Sequence, residues 1–318
     1  MISGFVEAVA GVSCIDTVAE SLSAVTGYTL VSRGDIPPQL LTAWGINGSS
    51  AGEEALLAAP IGSVKGGIRL LQIAGCERLP IRPDPQTWDT GGILDLNVRA
   101  RNMDVRHREF TRAGWRGPSA PVKWQFGDKL VSEWLALGPD GLAFALIERL
   151  APPLEPGVLE SDVSAVFNSS QVVADMAASL DFYEGVLGFT KFLHISQPLL
   201  PEPGENPLGI PHNLVHQLDV EIAILSPDGT MDGSVELIRM HGLEGRDFST
   251  RCHPCNLGLT ALRFPVANVD QMVRDVCERG ASLAMDPVDL TIMPYGQCRM
   301  LAVQAPEGAW LEFFQVLS

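Results

Sequence analysis

DMAASLDFYEGVLGF (Asp175–Phe189) decides the fold. It opens on an acid, carries apolar residues at helical spacing and stops at Gly188. An apolar stretch with strand character precedes it. The same order, strand and then acid-opened helix, recurs along the chain. AESLSAVTGY follows Asp16, DVRHREFTRAG opens on Asp104, and DQMVRDVCERG opens on Asp270. The second and fourth helices each end on a glycine, Gly114 and Gly280. Later strands repeat too. GGIRLL (Gly66–Leu71) matches GSVELI (Gly233–Ile238), and PDGLAFALIE (Pro139–Glu148) matches PEGAWLEFFQ (Pro306–Gln315). Internal repetition of this kind sets the architecture before any single residue does.

Four modules of one order follow: strand, helix, then further strands. They run from about Ile2 to Gly75, Trp88 to Leu150, Asp162 to His241 and Asn256 to Leu317. The expected fold class is α+β, with tandem βαβββ modules forming two cupped, partly open mixed sheets. CERLPIRPDPQ (Cys76–Gln86) and APPLEPG (Ala151–Gly157) connect modules, and clustered Pro and Gly break both periodicities. The second connector predicts domains at 1–150 and 158–318. ILDLNVRA (Ile93–Ala100) alternates strictly, so Ile93, Asp95, Asn97 and Arg99 share one face. SQPLLPEPGENPLGIPHN (Ser196–Asn213) occurs in the third module alone and reads either as a lid beside the second-half cavity or as a plain surface excursion.

Composition excludes several classes. Hydrophobic residues make up 46% and charged residues 19%, which suits a packed core and not disorder. A net charge of −16 with no basic stripe argues against nucleic acid as a partner. No apolar run nears the ~20 residues that span a bilayer, so no membrane partner is expected. MISGFVEAVAGVSCID lacks a basic start before its apolar stretch and reads as a first strand, not a signal peptide. Six cysteines make no disulfide scaffold, and reduced thiols in the cytoplasm follow as the expectation. Cys252-His-Pro-Cys255 is a single CxxC without a second pair, so free thiols are expected. No GxGxxG, Walker loop or GxSxG elbow is present, so no nucleotide cofactor is expected.

FNSSQVVADMAASLDFYEGVLGFTKFL (Phe167–Leu193) resembles the first strand and helix of the vicinal oxygen chelate superfamily. That superfamily includes glyoxalase I, extradiol dioxygenases, methylmalonyl-CoA epimerase and the fosfomycin- and bleomycin-resistance proteins. NLGLTALRFPVANVDQMVRDVCERGA and APEGAWLEFFQ are two further family-like segments. The resemblance is strong over the second half and weak over the first. It implies a site on the concave face of a cupped sheet, with metal ligands on the first and last strands of each module.

Those positions hold Asn168 and Glu236 in the third module and Ala261 and Glu312 in the fourth. Where two His and a carboxylate would hold iron, Glu312 alone remains. The resemblance still admits a divalent metal (Mg, Mn, Fe or Zn) on Glu312 and Glu236, and the oxygen donors suit a hard ion best. The first half offers Val9 or Ala10, Arg69, Asp95 and Ala145, read as structural, with Arg69 and Asp95 as an ion pair.

In the second half, Glu236, Glu312 and Arg263 are the expected catalytic residues, with Arg263 gripping a substrate oxygen. Asn168, Ser170, Phe314, His212 and His216 are the expected substrate contacts. The alternative is a Glu–Arg–Glu network plugging a degenerate cavity. The expectation is a small-molecule enzyme of isomerase or lyase type, monomeric or homodimeric. It would act on a carbonyl- or phenol-bearing substrate by carboxylate acid–base chemistry, with or without a metal. A ring-cleaving dioxygenase and a metal-free binding or resistance protein are the alternatives.

Overall fold

The computed structural model describes residues 1–46, 50–155, 157–200 and 202–317. It contains the four modules in order. The first comprises β1 (Glu7–Gly11), α1 (Ile15–Thr26), β2 (Thr29–Asp35), a short α2 (Pro38–Ala43), β3 (Ala51–Ala58) and β4 (Gly67–Ala74). The second comprises β5 (Asp95–Arg99), α3 (Met103–Arg112), β6 (Val122–Phe126), β7 (Lys129–Leu137) and β8 (Ala143–Ala151). The third comprises β9 (Asn168–Val172), α4 (Met176–Leu180), β10 (Thr190–Pro198), β11 (Asp219–Ser226) and β12 (Ser234–His241). The fourth comprises β13 (Gly258–Pro265), α5 (Val269–Glu278), β14 (Met285–Ile292), β15 (Gly296–Gln304) and β16 (Trp310–Val316).

Helix starts follow local chemistry, with a refinement. Asp175 caps α4, its side chain accepting from Ala178 N at 3.1 Å. Asp16, Asp104 and Asp270 sit instead in the first turn, where a carboxylate meets the positive end of the helix dipole. Asn268 takes the capping role in α5, accepting from Gln271 N at 2.8 Å. Gly188 follows the third-module helix with φ +75°, the left-handed ending that glycine tolerates best.

The strands form two curled sheets of eight, and the fold is α+β as expected. The first runs β14-β15-β16-β13-β1-β4-β3-β2, and the second β10-β11-β12-β9-β5-β8-β7-β6. The first sheet therefore joins modules one and four, and the second joins modules two and three. Both sheets draw on both halves of the chain, so the expected division into 1–150 and 158–318 does not follow the sheets. The reason is edge pairing. Each module's first strand pairs in parallel with its own last strand and leaves its other edge open. An open edge must be paired or covered. β5 takes β9, the first strand of the next module, antiparallel, and β1 takes β13. β8 and β9, the strands on either side of the expected boundary, thus belong to the same sheet.

The helix-bearing faces of both sheets share one core. Leu96, Val98, Phe144 and Leu237 of the second sheet belong to the same buried cluster as Leu70, Leu262, Leu311 and Phe313 of the first. Phe189 and Phe264 bridge the two, ring centroids 5.7 Å apart. The other face of each sheet is the inside of a cup. No helix of the described residues is long and apolar enough to cross a membrane.

Candidate functional site

The first cup is filled. Glu7, Arg69, Arg263 and Glu312 point into it by strand alternation and are all 0% exposed. Arg69 binds Glu7 through Nε and Nη2, both at 2.7 Å, and Glu54 through Nη1 at 2.8 Å. Arg263 Nε meets Glu312 Oε2 at 2.6 Å, and its Nη1 reaches Glu7 Oε2 at 3.4 Å. Trp44 Nε1 donates to the other oxygen of Glu312 at 2.9 Å. Burial alone would raise Glu7, but Arg69 and Arg263 outweigh it and hold the carboxyl below its usual range. Over this network lie Ile36, Leu40, Leu41 and Trp44, carried in by α2, against Met300 and Phe314 of the sheet. Buried charges persist only when paired like this. The Glu–Arg–Glu plug among the expectations is present here, with Glu7 in place of Glu236.

The second cup is different. Ser170 is the register partner of Asp95 on one side and of Glu236 on the other, and Asn168 is the partner of Asn97 and Ser234. Asn97 Nδ2 donates to Asn168 Oδ1 at 2.7 Å and to Ser170 Oγ at 2.9 Å, and Asn168 Nδ2 donates to Ser234 Oγ at 2.7 Å. Three carboxyls share this cup. Asp95 is buried, and its Oδ1 has no hydrogen-bond partner. Glu133 and Glu236 are half-buried, so water reaches the cup from their side. Trp124 Nε1 donates to Glu133 Oε2 at 2.8 Å. Among the described residues, no ion pair includes any of the three.

Their acidities follow from that lack. Burial raises Asp95 to about 7, against smaller opposing effects from the Ser170 hydroxyl and the Arg82 charge. Burial raises Glu133 to about 7, with the Asp95 charge adding to it. Burial, then repulsion by Asp95 and Glu133, raises Glu236 to about 8. Desolvation without a cation, plus like charge, is the combination that keeps a carboxyl protonated near neutral pH.

Beside the polar row lies an apolar wall of Val220, Ile222, Ile224, Ile238 and Met240. The Ser196–Asn213 segment, of which Pro201 lies outside the described residues, folds over it and packs Leu199 and Ile210 against the wall. Asn206 ties the segment to itself, its Oδ1 accepting from Ile210 N at 3.0 Å. Thr87 Oγ1 donates to Leu208 O at 2.7 Å and anchors the far side. The segment covers the apolar wall of the second sheet. A surface cleft of about 730 Å³ between α2 and β14 lies away from all of these carboxyls.

The structure separates the expected site residues. Glu236, Asn168 and Ser170 share the second cup, while Glu312, Arg263 and Phe314 sit in the first. Glu236 and Glu312 therefore do not face one cavity, and Arg263 is spent on Glu312 and Glu7 instead of gripping a substrate. His212 and His216, in and just after the covering segment, are exposed and do not enter the cup. The expected Arg69–Asp95 pair is absent, because the two residues belong to different sheets. Asp95 was read as structural, and Asn97 and Glu133 were not singled out. Strict alternation in ILDLNVRA and a lone acid in the apolar strand VSEWLAL are the signals that could have found them.

A metal does not fit these residues. Among the described residues no three His, Cys, Asp or Glu side chains converge on one point. In the first cup, arginines occupy the space beside Glu312. In the second, Asp95, Glu133 and Glu236 do not converge on one point, and Asn97 and Asn168 are bonded to each other.

Residues 166–313 match the Glyoxalase/Bleomycin resistance protein/Dioxygenase superfamily. No curated protein sequence matches the chain. Among solved structures, glyoxalase I from Zea mays is similar over 98% of this chain and 92% of its own, at 15% identity and a TM-score of 0.64. A mutant of that enzyme gives 16% identity, 98% and 93% coverage, and a TM-score of 0.64. A candidate dioxygenase from Bacillus subtilis is similar over 100% of this chain and 86% of its own, at 12% identity and a TM-score of 0.59. At such identities the likeness shows the fold alone. Residues 166–313 thus form a domain of the Glyoxalase/Bleomycin resistance protein/Dioxygenase superfamily, and the fold of the whole chain is similar to that of glyoxalase I.

Proposed function

We propose that the second cup is the site of a small-molecule enzyme of isomerase or lyase type, working by carboxylate acid–base chemistry. One observation carries this reading: Asp95, Glu133 and Glu236 share a cup, none of them in an ion pair among the described residues, and burial outweighs the Arg82 charge on Asp95. Three coupled carboxyls titrating near 7 to 8 hold both an acid and a base at neutral pH, and their proton steps belong to the group. Glu236, the most basic, donates its proton to the substrate oxygen. An ionised neighbour, Asp95 or Glu133, takes a proton from the adjacent carbon. Asn168 holds one Nδ2 hydrogen not used by Ser234, and it orients the same oxygen. The apolar wall favours a substrate with a hydrocarbon or aromatic body. A carbonyl- or phenol-bearing compound meets both demands.

The test is deuterium uptake from D2O at carbon beside a carbonyl or phenol oxygen, followed by NMR over a panel of hydroxyketones, ketoacids and phenols. Exchange with at least one class is expected, and Glu236→Gln should abolish it while the ligand still binds. Exchange that persists in Glu236→Gln would overturn the assignment. Tight binding by the wild type without any exchange would make the cup a sequestration site instead.

A further inference from the structure

Cys76 and Cys255 meet where the first and last modules are laced together. Leu79 N donates to Asn256 Oδ1 at 3.0 Å, Leu257 N to Leu79 O at 2.9 Å, and Ile81 N to Leu257 O at 2.9 Å. Both thiols are free and half-buried against the filling of the first cup. The Cys255 Sγ lies 3.8 Å from the carbonyl oxygen of Glu77, the residue next to Cys76, and the two thiols are near enough to influence each other's charge.

His253 gives this pair a base. Its Nε2 lies 2.9 Å from Trp44 O, which can only accept, so the hydrogen of the neutral ring sits on Nε2 and Nδ1 is left as an acceptor. The Cys255 N–H donates to Nδ1 at 3.3 Å, and the Cys255 thiol lies 3.2 Å from the same atom. The ring is braced edge-on by Trp310 at 5.8 Å. Nearby Cys252 is turned elsewhere, its sulfur directed at Phe248 O and Glu307 O.

We propose that Cys76, Cys255 and His253 form a thiol redox site that closes to a Cys76–Cys255 disulfide by exchange with a low-molecular-weight disulfide. In the first step the Cys76 thiolate attacks one sulfur of the small disulfide, releases one small thiol and keeps the other half as a mixed disulfide. In the second step Cys255 passes its proton to His253 Nδ1 and attacks the Cys76 sulfur. The second small thiolate leaves and recovers the proton from His253. Two protein thiols are oxidised and one small disulfide is reduced to two thiols. Burial and the neighbouring Cys76 push the Cys255 thiol up to about 11, so Cys255 depends on its base.

The test uses the full chain, reduced and then equilibrated near neutral pH with glutathione and glutathione disulfide at several ratios. Intact mass and peptide mapping without reductant give the readout. The expected product has lost two hydrogens and joins Cys76 to Cys255. Cys255→Ser should stop with one glutathione on Cys76, and Cys76→Ser should form no link. His253→Gln keeps a donor for Trp44 O but no base, and should slow closure about tenfold without changing the product. The proposal is overturned if both thiols stay open to alkylation, if each carries glutathione without closing, or if Cys252 takes the place of either. Closure at the wild-type rate in His253→Gln would remove His253 from the site.

Discussion

Asp95 and Glu236 flank Ser170 from opposite sides, one on β5 and one on β12, and so face each other across a single hydroxyl. Among the described residues neither is in an ion pair, and the Arg82 charge only partly offsets the burial of Asp95. The second cup thus gathers like charge, while the first cup spends two arginines on cancelling it. On the proposed reading, this difference gives chemistry to one cup and stability to the other.

Asp95 should make the protein less stable as pH rises. Its folded pKa, about 7, lies above the usual 3.8, so the folded state binds the proton more tightly than the unfolded chain does. Its stabilising contribution is complete below about pH 4 and is lost as pH rises through about 7. Asp95→Asn should therefore melt higher than wild type at pH 8, and the advantage should vanish towards pH 4. Thermal unfolding across that range is the check, and a constant difference would contradict the shift.

The network of the first cup should tolerate replacement but not division. Arg263→Met leaves Glu312 and Glu7 buried with reduced compensation, and should cost about 3–5 kcal/mol in urea unfolding. Arg263→Met combined with Glu312→Leu removes the pair as a unit, and should recover a large part of that loss. Equal losses in the single and double variants would show that the ion pair is not what the arginine serves.

Gly209 marks how closely the covering segment is seated. Its φ is +65°, and a Cβ there would stand 2.5 Å from Pro118 Cβ. Gly209→Ala should unseat the segment at a local cost of about 1–3 kcal/mol, leaving the sheets intact. Hydrogen exchange should quicken over 202–217 and stay unchanged in β11 and β12. Quicker exchange throughout the chain would mean that the segment is part of the core and not a cover.

Periodicity and punctuation carried the element order of the fold. Alternation in Ile93–Ala100 placed Asp95 and Asn97 on one face, and Leu96 and Val98 do lie in the shared core. What no local pattern could carry was the choice of edge partner. β1, β5, β9 and β13 read alike, and each has one edge left to pair. The pairing of β1 with β13 rests on contacts some 250 residues apart, which depend on how whole modules dock and not on any local run. The site followed the same fate. Glu236, Asn168 and Ser170 were legible as concave polar residues, but joining them to Glu312 and Arg263 assumed that modules three and four share a cup. Glu133 belongs to a middle strand, where the first-and-last-strand pattern gave no reason to look.

The most direct test is an NMR titration of side-chain carboxyls in protein labelled on Glu and Asp, with Glu236→Gln assigning its own resonance. Glu236 should titrate near 8, and should move down by a unit or so in Asp95→Asn, which removes the nearest repelling charge. A Glu236 that titrates in the usual carboxylate range, unmoved by Asp95→Asn, would contradict a shared acid–base cup.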